Sequence, residues 1–505
     1  MARGWSMRCF GLQRDGGHSG LLAGPITQMP SRIIRAWIFL LVCTVCACAT
    51  YRPARLKPEV AARRFAGRTL ANSELCEYLS ANSKPARSAC PPARWNLTNL
   101  TLTGFFYSPE LAVAEAQLKV AQAAIITAGQ RPNPSVGLGV AYAATAVPNI
   151  APWALGTAAI NFPIETADKR GYRIAQAEHL ADAAAIGVGE TTWRIRSAVR
   201  AALLNYLIAQ RQYRLARAYE AASESIAQLL QERIDAGAAS APDLNLALAN
   251  LATARLKAAQ AESGVPETLN GLAAALGVPV GALQGATFAW PELEHPRDAV
   301  SFTRADIQRL ALLNRLDLRR TLAQYAAADE AFKLEIARQY PDINLAGGYS
   351  WEVNENIFEL LPVVTLPLMN QNQGPIAEAR ARRALIAAQF IALQDSIIAQ
   401  ANGALTKYRG ALAAANQASH SAAFSEERLT GIRRATELGE IDALTLATAQ
   451  LETVVAEQSR LTALAGAQSA LGALEDAVER PLEDRDFKSF KLPASPQTTT
   501  SEKPS

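Results

Sequence analysis

Histidine, methionine and aromatic residues are scarce in this chain, and each shortage removes a class of function. The histidines are four, His18, His179, His295 and His420, and their separation gives no paired spacing for zinc. The methionines are four, Met1, Met7, Met29 and Met369, so no thioether relay for copper is visible. No phosphate-cradling loop and no nucleophile elbow occurs either. The reading is therefore a protein that is not an enzyme, with no metal site and no cofactor. Charge is nearly balanced at +4, without a basic stripe or basic–aromatic interleaving, so nucleic acid is not an expected partner.

What the chain has is alanine. Half of it is apolar while aromatics make up only 7%. Alanine-rich sequence with scattered Arg, Glu and Gln reads as long helices packed closely along their length. At the N-terminus, Arg32 to Cys48 carries two arginines, an apolar run and then small residues, the layout of a secretory signal peptide. Met29 is a plausible true start. Two cleavage readings stand open: a lipoprotein box ending at Ala47, with Cys48 as the lipid-attachment residue, or ordinary cleavage before Thr50. Export would leave Cys76 and Cys90, which read either as a disulfide in an oxidising compartment or as two free buried thiols.

The chain is built twice. Gln130 to Gly139 and Gln339 to Gly348 both end a helix at a proline and start an extended segment. Phe162-Pro163-Ile164 recurs as Leu366-Pro367-Leu368, Ile174 to Ala177 as Ile376 to Ala379, and Arg233 to Gly237 as Arg434 to Gly439. Each copy predicts a leading helix (about 109–130, about 303–339), two extended segments, a very long helix (about 168–236, about 375–438), a Gly-containing turn and a returning helix (about 241–277, about 441–478). In the extended segments Val136, Leu138, Val140 and Tyr142 alternate with small residues, and Ile343, Leu345, Gly347, Tyr349, Trp351 and Val353 with small or polar ones. Segments of about 10 residues with this period can cross a bilayer as tilted strands. Four strands cannot close a barrel, and an open sheet in lipid leaves unpaired backbone groups. Two copies would give an eight-stranded barrel filled by its own side chains, so a wet channel needs at least three.

The most specific stretches are Ser108-Pro109-Glu110-Leu111, Arg131-Pro132-Asn133-Pro134, Asn161 to Glu165, and Asp168-Lys169-Arg170-Gly171. On these the chain, from about Trp95 to Leu482, resembles the TolC-like outer-membrane efflux family, and the last two stretches resemble its heavy-metal-efflux branch, the CzcC-like and CusC-like proteins. The resemblance implies a mainly α fold with a small β-barrel portion, four strands per protomer completing a twelve-stranded trimeric barrel above a helical tunnel. It implies a homotrimer in the outer membrane, docked to a periplasmic adaptor (membrane fusion protein) and an inner-membrane resistance-nodulation-division pump. The domains read as 1–48 extension and signal peptide, 49–105 periplasmic linker, 106–285 first repeat, 300–482 second repeat and 483–505 disordered tail. Family-wise the helix tips meet the adaptor, which points to Arg233, Gly237, Leu438 and Gly439. The acids Asp235, Asp243, Glu440 and Asp442 are candidates for a cation-favouring gate ring, or else ordinary helix N-terminal acids. A type I protein-secretion duct has the same architecture, and a periplasmic structural coiled coil is the alternative from another class.

Overall fold

The computed structural model describes residues 51, 53–82, 91–142, 153–299, 302–352 and 355–482. The readings for the signal peptide, Cys48, Cys90 and the 483–505 tail lie outside them. By its contacts the chain divides into two units, Met1–Ala62 and Arg63–Ser505. The first contributes the start of helix α1 (Pro58–Ala66) to the description; everything that follows concerns the second.

Helix α2 (Ser73–Asn82) precedes two repeats of six elements each. The first runs α3 (Leu97–Tyr107), α4 (Pro109–Ala128), β1 (Ser135–Tyr142), β2 (Trp153–Ile164), α5 (Lys169–Asp235) and α6 (Ala241–Leu276). The second runs α7 (Arg304–Asn314), α8 (Leu316–Ala337), β3 (Ile343–Glu352), β4 (Glu355–Val364), α9 (Gln373–Glu437) and α10 (Ala443–Val478). At 67 and 65 residues, α5 and α9 each rise roughly 100 Å without a break.

The leading helix of each repeat is a pair, which corrects the single helix expected over 303–339. In the first repeat the break is at Ser108, whose Oγ accepts the Leu111 N–H at 3.2 Å ahead of Pro109. In the second it falls at Arg315 (φ −57°, ψ 117°), which has no capping side chain of its own. The cap comes from far along the chain: Glu479 Oε2 accepts the Leu316 N–H at 2.6 Å. Helix α3 occupies residues that had read as the end of a linker. Leu100, Thr101, Leu102, Thr103, Gly104 and Phe105 are all buried, so it has no amphipathic period to announce it.

The long helices meet along alanine. Ala177, Ala181, Ala216, Ala222, Ala254 and Ala258 are buried, small enough for helices to approach closely over many turns. Larger residues gather where α3 and α7 pack on the long helices. Ile195, Leu203 and Tyr206 are buried in one core, and Ile397, Leu405 and Tyr408, each 202 positions later, in the other. The duplication thus extends to the core.

A buried polar clasp joins the repeats. Glu475 of α10 accepts from Arg196 Nη1 at 3.0 Å and lies 3.5 Å from Arg200 Nε, both on α5. Its other oxygen takes the Leu482 N–H at 2.7 Å. Arg200 also donates to the Gln468 backbone oxygen and Oε1 at 2.9 and 3.1 Å. Trp193 and Trp290 lie under the Arg196 and Arg200 guanidiniums at 4.9 and 5.0 Å.

The four strands form one antiparallel sheet in the order β1-β2-β3-β4. It is open: among the described residues no further strand pairs with the outer edge of β1 or of β4.

Candidate channel surfaces

The pairing register sorts the sheet into two faces. Val136 faces Ile160, which faces Gly347, which faces Leu360. One residue row further, Leu138, Ala158, Tyr349 and Phe358 align, and on the other side Phe162, Leu345 and Pro362. This face is apolar, and it is uncovered. Val136, Leu138, Leu360 and Phe358 are 68% to 80% exposed. Across the sheet lie Ser135, Gly137, Ala159, Asn161, Asn344, Ala346, Gly348, Ser350 and Glu359, small or polar, although β4 adds Ile357, Leu361 and Val363 to that side. A row of large apolar side chains on an open sheet is costly in water and suits hydrocarbon, provided both edges are paired.

Helices α4 and α9 each contain a stretch long and apolar enough to cross a bilayer. Neither is built for it. Helix α4 packs along α5 and runs into β1, and α9 is about three bilayers long. Inserting either would leave the apolar sheet face in water.

Where sheet meets helices, two tight turns redirect the chain. Asp168 and Asn372 open the long helices from the left-handed region, at φ 54° and 63°. In the first turn the contacts cross to the second repeat. Lys169 Nζ bonds Asp342 Oδ1 and the Tyr340 carbonyl, each at 2.6 Å. Thr166 donates its N–H to Asp342 Oδ1 at 3.0 Å and its hydroxyl to the Pro341 carbonyl at 2.7 Å. Arg173 forks onto Glu165 at 2.5 and 3.0 Å. Glu165, Lys169, Arg173, Tyr340, Pro341 and Asp342 line a charged cavity of about 570 Å³.

At the opposite ends of the long helices, the turns behave as their glycines predicted. Gly237 and Gly439 adopt φ 72° and 78°. The Ala238 N–H reaches Arg233 O at 2.7 Å and the Glu440 N–H reaches Ala435 O at 2.9 Å, closing both helices in the same way. Ser240 caps α6 and donates to Asp243 Oδ2 at 2.5 Å. Asp442 caps α10 by accepting the Thr445 N–H at 3.0 Å. Its second oxygen is ion-paired with Arg233, tying the two tips together. Asp235 accepts from Gln231 at 2.8 Å. Leu438 is exposed beside the turn. So the structure brings Arg233 and Asp442 together, places Asp243 and Asp442 in helix caps, and leaves Asp235 and Glu440 exposed. Cys76 is disulfide-bonded.

A further charged cluster went unread in the sequence. Glu479 sits 4.0 Å from Arg315, and Glu190 pairs with Arg320 at 2.9 Å, around the break between α7 and α8. Burial pushes Glu479 up to about 7, against the pull of the Leu316 N–H and Arg315 and with help from Asp317 and Glu190. Burial also raises Glu190, against Arg320.

A duplicated chain of two very long helices, two returning helices and four strands in one open sheet has the fold of outer-membrane channels. Superposition on VceC of Vibrio cholerae gives a TM-score of 0.61 at 17% identity, covering 77% of this chain and 97% of VceC. Superposition on CusC gives 0.61 at 15% identity, covering 76% and 92%. Residues 107–278 match the family model of the outer membrane efflux proteins. It is 27% identical over 226 residues to the cobalt-zinc-cadmium resistance protein CzcC of Cupriavidus metallidurans. That match covers 44% of this chain and 52% of CzcC, so it spans about half the length of that relative.

Proposed function

We propose that this chain is the outer-membrane channel of a tripartite efflux system, a passive duct of three copies through which an inner-membrane pump expels small toxic solutes. The observation that carries this reading is the open four-stranded sheet with one uncovered apolar face. Such a sheet is a fragment of a barrel, and twelve strands from three copies give a barrel wide enough to stay wet. Likeness to a cobalt-zinc-cadmium resistance protein favours divalent transition-metal cations as cargo. Loose passage suits a duct better than tight ligation, because a strong site slows release.

The paired tips are the gate and the adaptor surface in this reading. Gly237, Leu438 and Gly439 present the turns to a periplasmic adaptor, and a resistance-nodulation-division pump supplies the driving force. The Arg233–Asp442 pair holds the two hairpins together, while Asp235 and Glu440, repeated threefold, form the acidic ring that favours cations. Cys48 carries the lipid anchor and Cys76 pairs with Cys90.

The test is a deletion strain challenged with cobalt, zinc, cadmium and organic toxicants. Expression of the chain restores resistance to the metals and produces a heat-modifiable trimer in the outer-membrane fraction. Recovery of the protein in the soluble periplasmic fraction would overturn the reading. Alanine at both Asp235 and Glu440 with unchanged cation preference in planar bilayers would remove the gate ring alone.

A further inference from the structure

Strand β4 is apolar on both of its faces, and the fold accounts for only one of them. Phe358, Leu360, Pro362 and Val364 belong to the row that suits lipid, whereas Ile357, Leu361 and Val363 lie across the sheet. Leu361 and Val363 are 59% and 45% exposed there. Their partners on β3, Ala346 and Asn344, are too small to cover them. Strands β1 and β2 carry Ser135, Gly137, Ala159 and Asn161 on the same face. A sheet of this kind is therefore built without large apolar residues on that side, and the β4 stripe is an addition to it.

Glu359 interrupts the stripe. It is exposed, and among the described residues no lysine or arginine pairs with it. The sheet holds no base to do so: Pro132 to Ile164 contains no charged residue, and Ile343 to Val364 contains Glu352, Glu355 and Glu359 without a lysine or arginine. Glu359 stands opposite Gly348, Gly348 opposite Ala159, and Ala159 opposite Gly137. A Cβ on Gly348 would lie 3.8 Å from Glu359 Oε2, so the carboxylate leans over this glycine. The row leaves space around the carboxylate and offers no second side-chain oxygen or nitrogen to complete a metal's ligand set. Alternate residues along a strand are about 7 Å apart, so Ile357 and Leu361 flank the carboxylate at about 7 Å and Val363 follows at about 14 Å.

We infer that Glu359, Leu361 and Val363 form a passage station for amphiphilic organic cations, the cationic head on the carboxylate and the apolar body along the stripe towards the helical end. The inference rests on the duct reading, in which this face lines the lumen, and it adds a cargo class to the metal cations. Amphiphilic anions are disfavoured, because the sheet carries three acids per copy and no base. A hydrated metal ion gains nothing from leucine and valine, whereas an organic ammonium gains from the charge and from the apolar contact together. The orientation follows from the strand itself. Beyond Ile357 the next residue on this face is Glu355, so the longer apolar run is the one that reaches Val363. Exposed contacts of this kind are individually weak, which suits brief residence in a duct.

The test uses the full-length trimer in planar bilayers, with potassium chloride carrying the single-channel current and quaternary ammonium ions added on the side opposite the helices. Tetrabutylammonium reduces the current at lower concentration than tetramethylammonium, which has the same charge and less apolar surface. Glu359→Gln raises the half-blocking concentration of tetrabutylammonium about fivefold, the scale of one exposed ion pair. Leu361→Ser raises it for tetrabutylammonium and not for tetramethylammonium. Val363→Asn gives the same reading should Leu361→Ser fail to form the heat-modifiable trimer. Butanesulfonate, with a similar apolar chain and the opposite charge, does not block. Equal block by the two ammonium ions, unchanged block in both Glu359→Gln and Leu361→Ser, or block by butanesulfonate as strong as by tetrabutylammonium overturns the station and leaves the duct standing. Wild-type protein that forms neither trimer nor channel overturns the duct reading itself.

Discussion

Replacing Glu475 with alanine removes the carboxylate that lies between Arg196 and Arg200 at the junction of the repeats. Glu475 is fully buried, and the two arginines are 5% and 3% exposed, so solvent does little to screen what is left. Removing one partner of a buried ion pair costs about 3–5 kcal/mol, because the other charge stays desolvated. The Leu482 N–H also loses its acceptor, adding roughly 1–3 kcal/mol. Water entering the space recovers part of this, so about 4 kcal/mol is the expected loss per copy. With an unfolding entropy near 2 cal/mol/K per residue, that lowers the melting midpoint of a chain this long by about 4 °C. Tryptophan fluorescence is the assay, since Trp193 and Trp290 stack on the two guanidiniums and report the cluster itself. The matching control replaces Arg196, Arg200 and Glu475 all with methionine, where similar volume without charge costs far less. Glu475→Ala melting within about 1 °C of wild type, or below the triple variant by nothing measurable, would refute the account of the clasp as a mutually paired set of charges.

Gly472→Ala places a methyl group against Arg200 Nη1 and should destabilise by about 1–3 kcal/mol, read in the same melt. At the tips, Arg233→Ala costs at most about 1 kcal/mol, because the pair is exposed. Asp442→Ala costs roughly 1 kcal/mol more, through the lost cap, while Asp442→Ser keeps the cap and loses only the pair. Increased single-channel conductance in Arg233→Ala and Asp442→Ser alike is expected if the pair closes the tips. Glu479 gives a pH dependence of definite sign. Its folded value of about 7 exceeds the ordinary 4.5, so the cost of burying its charge is absent below about 4.5, grows through 7 and is constant above. The wild type should therefore melt lower at pH 8 than at pH 5.5, by no more than about 3 kcal/mol, and Glu479→Gln should flatten that difference.

Much of the fold could be read from the chain because its boundaries are made by local chemistry. The long helices end within two residues of where the prolines, Gly237 and Gly439 placed them. Strands β1 and β3 were legible by alternation, whereas β4, with Ile357, Leu361 and Val363 on the face opposite Phe358 and Leu360, was not. What escaped was either buried on all sides or made by distant residues. Helix α3 has β-branched and aromatic residues with no polar face, although Asn96 caps it by accepting the Asn99 N–H at 2.8 Å. The break at Arg315 has neither proline nor glycine, and its cap arrives from Glu479. Of the tip acids, Asp243 was legible as a cap from its spacing to Ser240, but the partner of Asp442 lies 209 residues away and no linear pattern points to Arg233.

The polar contacts also break the symmetry that the duplication created. Ile195, Val199, Leu203 and Tyr206 recur 202 positions later as Ile397, Ala401, Leu405 and Tyr408, so the apolar core repeats. At the same spacing Arg196, Arg200 and Glu475 correspond to Ile398, Asn402 and Ala273, which carry no charge. Lys169 and Asp342 correspond to Gln373 and Asn133. A chain made of two equal repeats could close its first repeat on its own second repeat or on another copy's with nearly equal ease. Charges present at one of the two seams make the choices unequal, since a mismatched closure buries guanidiniums without their carboxylate. The methionine triple should therefore retain most of its melting temperature and still lose fidelity. The measurement is the fraction of protein recovered as closed trimer after refolding, with swapped or open oligomers making up the difference. A triple variant that assembles as cleanly as wild type would show that the clasp adds rigidity and does not choose partners.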